Sequence, residues 1–106
     1  MKNERQSFRI DYPLSDRPTF LYQLMRFEIM DLSETGAQIK AHGFPLQANQ
    51  TYNGFVQFKD GERYPVKGSV VRVDFDKGTA ALKFSLGVPY KKMVSEQLRL
   101  KKKQER

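Results

Sequence analysis

At 106 residues the chain is long enough for one domain with a modest core and too short for two. It contains no cysteine, which excludes disulfides, thiolate metal sites and a cysteine nucleophile. No signal peptide or long apolar run is present, so we expect a cytoplasmic protein without membrane insertion. Eight Phe and five Tyr favour a mostly β fold over a helical bundle.

The formal net charge of +7 suits an anionic partner such as a nucleic acid, a nucleotide or a membrane phosphate. Part of this charge belongs to the C-terminus, because residues 96–106 contain five basic and two acidic side chains. A basic helix end is more often solvated than part of a binding site. The charge alone therefore does not identify the partner.

Residues 1–18 are predicted to form an irregular N-terminal arm. Pro13 and Pro18 prevent a long helix, and Asp16 supplies turn chemistry. The part up to about Arg9 has so little apolar content that packing would stabilise it weakly. We therefore expect a mobile arm whose order depends on a ligand.

Residues 19–86 contain the predicted strands. The apolar runs lie at residues 19–32, 37–41, 52–59, 63–73 and 79–85. The first run fits one bent strand or two short ones, and in the second Ile39 is predicted to face the core while Lys40 faces away. Asp60 and Gly61 are predicted to form a two-residue hairpin turn. This spacing of strands and polar turns predicts a small antiparallel barrel or sandwich.

The hydrophobic period changes after Gly87. Four apolar residues then recur at helical spacing: Tyr90, Met93, Val94 and Leu98. They predict an amphipathic helix to about Lys103 whose apolar stripe covers an open end or edge of the barrel. Residues 88–106 are thus interpreted as a helix with a basic tail.

Catalytic constellations are absent from the sequence. Its single histidine, His42, lies in a predicted loop, and Asp74 and Asp76 are interpreted as turn acids. No Gly-rich phosphate loop, nucleophile elbow or pair of histidines with metal spacing occurs. We therefore expect no enzymatic activity, no metal and no cofactor.

Two short motifs carry the functional prediction: Arg5-Gln6-Ser7-Phe8-Arg9 and Asp31-Leu32-Ser33-Glu34-Thr35-Gly36. In the second, Asp and Ser side chains can bind local backbone and Gly36 can adopt a positive φ, which predicts a polar turn between two strands. Most such strings are ordinary turns. This composition nevertheless predicts only roughly 0.02 strings of this kind by chance.

In this order, the two motifs resemble the signatures of the PilZ family, R-x-x-x-R in an N-terminal arm and D/N-x-S-x-x-G after an early strand. Two later segments, 67–72 and 78–84, are similar to other strands of that family. The resemblance implies a six-stranded antiparallel β-barrel with a C-terminal helix. It also implies a cyclic di-GMP receptor that regulates motility, exopolysaccharide or pilus machinery through an unidentified protein partner.

By the same resemblance the ligand-binding residues are Arg5, Arg9, Asp31, Ser33 and Gly36; we add Lys40 as a further charge contact. The guanidinium group of Arg can bind a phosphate or the O6/N7 edge of guanine, and a carboxylate can accept from the guanine N1 and N2 donors. Many family members have another Arg where this chain has Glu4, so we expect one cyclic di-GMP per site.

Two alternatives remain open. A small basic barrel could bind single-stranded nucleic acid if aromatic residues such as Tyr52, Phe55 and Phe58 formed an exposed platform, although we expect them in the core. A PilZ fold could also have lost its ligand and serve only as an interaction module. The intact motifs argue against that interpretation.

Overall fold

The computed structural model describes residues 9–41 and 46–104. Along this part of the chain lie β1 (Ile10–Asp11), β2 (Thr19–Tyr22), β3 (Met25–Ser33), β4 (Gly36–Lys40), β5 (Thr51–Gln57), β6 (Arg63–Asp74), β7 (Thr79–Leu86) and α1 (Tyr90–Gln104). A short 3-10 helix, Leu14–Asp16, separates β1 from β2. Glu4, Arg5 and His42 lie outside the described residues.

Strands β2 to β7 close into an antiparallel barrel. Their order around the barrel is β2-β3-β4-β7-β6-β5, and β5 pairs with β2 to complete the ring. Closure pairs both edges of each strand, whereas a sandwich leaves edges open. The six-stranded barrel is therefore confirmed, and the sandwich is excluded. The extra strand β1 pairs with the end of β3 beyond β2.

The long apolar run 19–32 forms two strands, as one of its two interpretations predicted. Tyr22 pairs with Met25, so Gln23 and Leu24 make a two-residue hairpin turn. Gln23 has φ 57°, the positive value that a type II′ turn requires at its first central position. This turn leaves the Leu24 side chain 100% exposed.

The turn between β5 and β6 is wider than predicted. The Phe58 N–H donates to the Glu62 carbonyl at 2.8 Å, which leaves three residues in the loop instead of two. Gly61 has φ 94°, as in a type I turn followed by a left-handed residue. The Asp60 carboxylate accepts from the Glu62 N–H at 2.9 Å and stabilises this wider loop.

Apolar residues that alternate along the strands fill the barrel. The most deeply buried are Phe20, Ile29, Leu32, Ile39, Val56, Val66 and Val70. Burial of such a side chain contributes about 1.5–3 kcal/mol relative to exposure, so this core is the main source of stability. The predicted alternation in β4 is observed, with Ile39 buried and Lys40 exposed.

Residues 10–16, which the sequence analysis placed in an irregular arm, are packed on the barrel. Ile10 and Tyr12 are buried on either side of the exposed Asp11. Ile10 pairs with Leu32, and the Tyr12 N–H donates to the Met30 carbonyl at 3.0 Å. The two apolar residues supply the packing that prolines and polar neighbours concealed in the sequence.

Helix α1 forms as predicted, but its buried face differs from the predicted stripe. Met93 and Leu100 are buried, whereas Leu98 is 58% exposed and Tyr90 is also exposed. Glu96, which is 1% exposed, occupies the buried face. The predicted stripe was wrong because it contained only apolar side chains. A carboxylate whose charge is paired can also lie on the buried face of a helix.

Hydrogen-bonded ion pairs fix α1 to the segment that follows β1. The Tyr12 hydroxyl donates to Glu96 Oε1 at 2.7 Å, and Arg99 bridges Glu96 and Asp16 at 3.0 and 3.1 Å. Lys103 adds a bond to Asp16 at 3.0 Å. Burial, together with the Glu96 carboxylate, raises the Tyr12 pKa, so its hydroxyl remains a donor. The chain just after Arg9 is thereby tied to the C-terminal helix.

The first turn of α1 is fixed to the β5–β6 loop. Lys92 Nζ donates to Asp60 Oδ2 at 2.6 Å and to Glu62 Oε1 at 2.7 Å, and it lies 4.8 Å from the centre of the Phe58 ring. Burial alone would lower the Lys92 pKa, but the two carboxylates outweigh it and raise the pKa. The helix therefore covers the barrel end at this hairpin, as predicted.

We expect Asp16 to make the protein lose stability between about pH 4 and pH 2. The Lys103 ammonium, with help from Arg99, lowers the Asp16 pKa from 3.8 to about 2. The Asp16 pKa is lower in the folded state than in the unfolded state, so the stability that Asp16 contributes is complete above the unfolded-state pKa. This stability disappears as the pH falls through the folded-state pKa. Urea midpoints for the wild type and Asp16→Asn should converge over this range. Urea midpoints that differ by the same amount at every pH would contradict the lowered pKa of Asp16.

Candidate functional site

A β-bulge in β3 turns the Asp31 and Ser33 side chains to the outside of the barrel. Phe27 and Ile29 face the core, and after one extra residue in the pairing with β4, Leu32 faces the core. Without that extra residue, Asp31 and Ser33 would share the inward parity of Ile29. Because of the bulge, β3 contributes apolar side chains to the core and still ends with two polar side chains, Asp31 and Ser33, on the outside of the barrel.

The strand register aligns these two residues with polar residues of three other strands. Outward positions form two rows across β3, β4, β7 and β6: Asp31, Gln38, Ala81 and Arg72 in one, and Ser33, Gly36, Lys83 and Ser69 in the other. Residues directly opposite on neighbouring strands have Cβ atoms about 4.5–5.5 Å apart. The rows thus bring side chains from distant parts of the sequence onto one surface.

This surface carries a shallow cleft of about 310 Å³, which we call the β4–β7 cleft. Gly36 and Ala81 are among the residues that line it, and their small size leaves room. Three cationic side chains line it, those of Arg9, Arg72 and Lys83. An anionic ligand in the cleft would therefore meet positive charge from the segment before β1, from β6 and from β7.

Asp31 joins the arm motif to the barrel motif. Arg9 Nη1 donates to Asp31 Oδ1 at 3.1 Å, and Gln38 Nε2 donates to Asp31 Oδ2 at 3.3 Å. The Asp31 side chain is 11% exposed and that of Arg9 is 56% exposed. Burial raises the Asp31 pKa, Arg9 opposes this, and the facing carboxylate of Asp11 adds to it. A ligand that donated hydrogen bonds to Asp31 would relieve this cost.

Ser33 and Gly36 hold the turn between β3 and β4. Ser33 Oγ accepts from the Thr35 N–H at 3.2 Å and donates to the Gly36 carbonyl at 3.4 Å. Gly36 does not have the positive φ that the sequence analysis considered; those described glycines that do are Gly61 and Gly78. A Cβ at Gly36 would lie 2.5 Å from the Leu82 carbonyl oxygen, so glycine is needed here for close strand packing.

The predicted site residues do not all meet. Arg9, Ser33 and Gly36 line the β4–β7 cleft, and Asp31 contacts Arg9 beside it. Arg5 lies outside the described residues. Lys40 is exposed at the end of β4, two residues beyond Gln38, and does not line the cleft. It therefore stands about 6.6 Å further along the strand than the nearer row.

Sequence reasoning missed Arg72 and Lys83 as site residues. Lys83 lies between the buried Leu82 and Phe84, so alternation alone marks it as outward. Arg72 follows a second bulge, which shifts the register between Val70 and Arg72. Their alignment with Gly36 and Gln38 depends on pairings between distant strands.

Residues 9–41 and 46–104 contain neither a metal-ligating cluster nor a membrane-spanning helix. No three His, Cys, Asp or Glu side chains come together as a metal-ligating group. No helix there is long and apolar enough to cross a membrane.

The fold and the cleft define a small β-barrel domain with a cationic surface cleft. The family model for the PilZ domain matches residues 3–101, and the chain therefore belongs to the PilZ domain family. Domains of this family are binding and adaptor modules, and they typically bind cyclic di-GMP.

Among solved structures, the chain is similar to the Bacillus subtilis inhibitor of motility (MotI/DgrA), with a TM-score of 0.63 and 14% sequence identity. The similarity covers 99% of this chain and 54% of that one, so this chain spans about half the length of its structural neighbour. At this identity the likeness concerns the fold. No curated protein matches in sequence.

Proposed function

We propose that this protein is a cyclic di-GMP receptor that acts as an adaptor for another protein. The observation that carries the proposal is the 3.1 Å contact between Arg9 of the arm motif and Asp31 of the barrel motif, beside a cleft lined by further cations. Membership of the PilZ family supports the ligand.

The cleft offers groups of both kinds that a cyclic dinucleotide needs. Arg9, Arg72 and Lys83 suit phosphate oxygens, and Arg can also bind the O6/N7 edge of guanine through two parallel hydrogen bonds. The Asp31 carboxylate suits the N1 and N2 donors of guanine. The exposed Val71 at the rim presents an apolar surface to a base.

The Arg9–Asp31 pair can accept a ligand while it stays intact. Arg9 uses one N–H in its bond to Asp31, and its guanidinium carries five donors, so the others can reach a phosphate without loss of the pair. Because Asp31 is buried with its pKa raised, guanine donors would favour its ionised form. Ligand binding therefore strengthens an existing contact between arm and barrel.

The output is a change in the surface near the arm. We propose that Arg5 joins Arg9 on the ligand and orders residues 1–9 across the barrel. Ordering costs about 1–2 kcal/mol per residue, against roughly 1.5–3 kcal/mol for each hydrogen bond to a charged group. Several such bonds to one ligand would have to exceed this cost. Glu4 favours a single cyclic di-GMP. The regulated process is motility, exopolysaccharide export or pilus assembly.

Titration calorimetry with cyclic di-GMP and with single-stranded oligothymidine tests this function. We expect saturable binding of about one cyclic di-GMP that changes little with salt, because its charges are few and partly enclosed. A nucleic-acid-binding barrel would prefer the oligonucleotide, with an affinity that falls steeply with salt. Absence of cyclic di-GMP binding would favour the interaction module that has lost its ligand.

Replacement of Arg72, Lys83 and Lys40 by alanine should weaken cyclic di-GMP binding to different degrees. We expect Arg72→Ala and Lys83→Ala each to weaken cyclic di-GMP binding about tenfold, because both line the cleft. Lys40→Ala, a matched change of an exposed lysine on the same face, should alter the affinity less than about twofold. Calorimetry measures all three. A larger loss for Lys40 than for Lys83 would move the site toward the other end of β4.

A further inference from the structure

A second surface on the far side of the barrel joins exposed apolar groups with two cations, Arg26 and Arg63, that form no ion pair within the described part of the chain. The register aligns outward residues across β3, β2, β5 and β6 in the order Arg26, Leu21, Phe55 and Pro65. Beside this row, the residues of the β2–β3 turn enclose a groove of about 400 Å³ with Phe55 and Arg63. We call this surface the β2–β5 face; its argued members are Leu21, Leu24, Phe55, Arg26 and Arg63.

Two apolar side chains of the β2–β5 face, those of Leu24 and Phe55, are exposed to solvent. Leu24 is 100% exposed at the turn, and Phe55 is 41% exposed although its neighbours Gly54 and Val56 are buried. Single exposed apolar residues are common, but these two line the same groove, and exposed apolar groups that share a groove mark an interaction surface. The sequence analysis expected Phe55 in the core, and the structure places it outside.

The charged side chains of the β2–β5 face are positive, and that of Arg63 is held in place. Arg63 lies 5.7 Å over the Phe55 ring and donates to Gln57 Oε1 at 2.8 Å. No carboxylate lines the groove within the described part of the chain. The carboxylate of the adjoining row, Glu28, already accepts from Arg17 at 3.2 Å.

We propose that the β2–β5 face docks an acidic segment of a protein partner that carries an apolar anchor. The anchor fills the groove beside Leu24 and Phe55, while its carboxylates pair with Arg26 and Arg63. A second copy in a symmetric pair would set the same cations against themselves, which is repulsive. Single-stranded nucleic acid needs several stacking rings, whereas this face offers Phe55 among aliphatic side chains.

This docking surface deepens the adaptor part of the proposed function and rests on it, but it is separate from the ligand cleft. Strands β3 and β6 run through both surfaces, with Arg26 and Arg63 near one end and Asp31 and Arg72 near the other. A partner on the β2–β5 face would leave the β4–β7 cleft open to its ligand. The protein can therefore hold both at once.

The test is an NMR titration of the full-length, 15N-labelled chain with short synthetic peptides. The first peptide has one Phe and one Leu among Glu residues; the second has Gln in place of Glu, and the third has Ala in place of Phe and Leu. We expect the first to shift the amides of residues 21–26, 53–57, 63, 64, 66 and 67. Its affinity should exceed that of either control at least about tenfold.

Two variants separate docking from ligand binding. Leu24→Ser combined with Arg63→Glu should weaken the acidic peptide about tenfold and leave cyclic di-GMP affinity unchanged. Lys77→Glu, a matched charge reversal at an exposed turn, should change neither. Since the peptides are titrated without dinucleotide, failure of cyclic di-GMP binding would not affect this result.

Four outcomes would overturn the docking surface. The acidic peptide could leave these amides unshifted, or the Gln peptide could bind equally well. Oligothymidine or vesicles of phosphatidylcholine with phosphatidylglycerol could shift the same amides at lower concentration than the peptide. Finally, the amides could move with protein concentration alone, which would assign the face to a second copy of the chain.

Discussion

Replacement of Arg9 or Asp31 by alanine should abolish measurable binding of cyclic di-GMP. In the proposed site each contributes a charged group that no neighbour replaces. Loss of one partner of a charged contact that the bound ligand buries costs about 2–5 kcal/mol, or roughly 30-fold or more in affinity. Calorimetry measures the loss. Asp31→Asn keeps the shape of the side chain and should lose nearly as much, because its amide offers one acceptor where guanine presents two donors.

The fold should survive both substitutions, so the loss would belong to the site. The Arg9 side chain is 56% exposed and returns to water when Asp31 is absent. Burial disfavours the ionised form of Asp31 and raises its pKa, so removal of this carboxylate should not weaken the fold. We therefore expect thermal unfolding temperatures close to that of the wild type. Lys59→Ala, an exposed lysine on the β5–β6 loop, serves as the charge control. Unchanged affinity in both site variants would remove Arg9 and Asp31 from the site.

Substitution of Glu96 by alanine should cause the largest loss of stability. Glu96 accepts from the Tyr12 hydroxyl and from Arg99, and its side chain is 1% exposed. Removal of one partner from a buried ionic network costs about 3–5 kcal/mol, because the remaining polar groups stay buried without it. Urea denaturation should show a lower midpoint at an unchanged slope.

Its matched control is the neighbouring Gln97→Ala. Gln97 is exposed on the same turn of α1, so its loss should change the free energy of unfolding by less than about 0.5 kcal/mol. A Glu96→Ala effect as small as that of Gln97→Ala would mean that the helix is not held by this network.

Local patterns were sufficient to predict most of the architecture. Alternation identified the barrel strands, and the change of period after Gly87 identified the helix. The run 19–32 carried no turn residue of the usual kind, so the break at Gln23 could not be chosen over a single bent strand. The short strand at Ile10 was concealed because two apolar residues among prolines give a weak signal.

The candidate site could be predicted only where its residues are neighbours within one sequence motif. Ser33, Thr35 and Gly36 are neighbours in the chain, and their shared turn follows from local chemistry. Arg72 and Lys83 enter through the pairing of β4, β6 and β7, which no local pattern specifies. The bulge before Asp31 is equally invisible in sequence, although it decides which way Asp31 points.

A crystal structure of the protein with cyclic di-GMP tests the central claim most directly. The account predicts one ligand whose phosphate lies against Arg9 and whose guanine edge meets the carboxylate of Asp31, above Gly36 in the β4–β7 cleft. A ligand bound by only one of these two residues, or bound on another surface of the barrel, would contradict it.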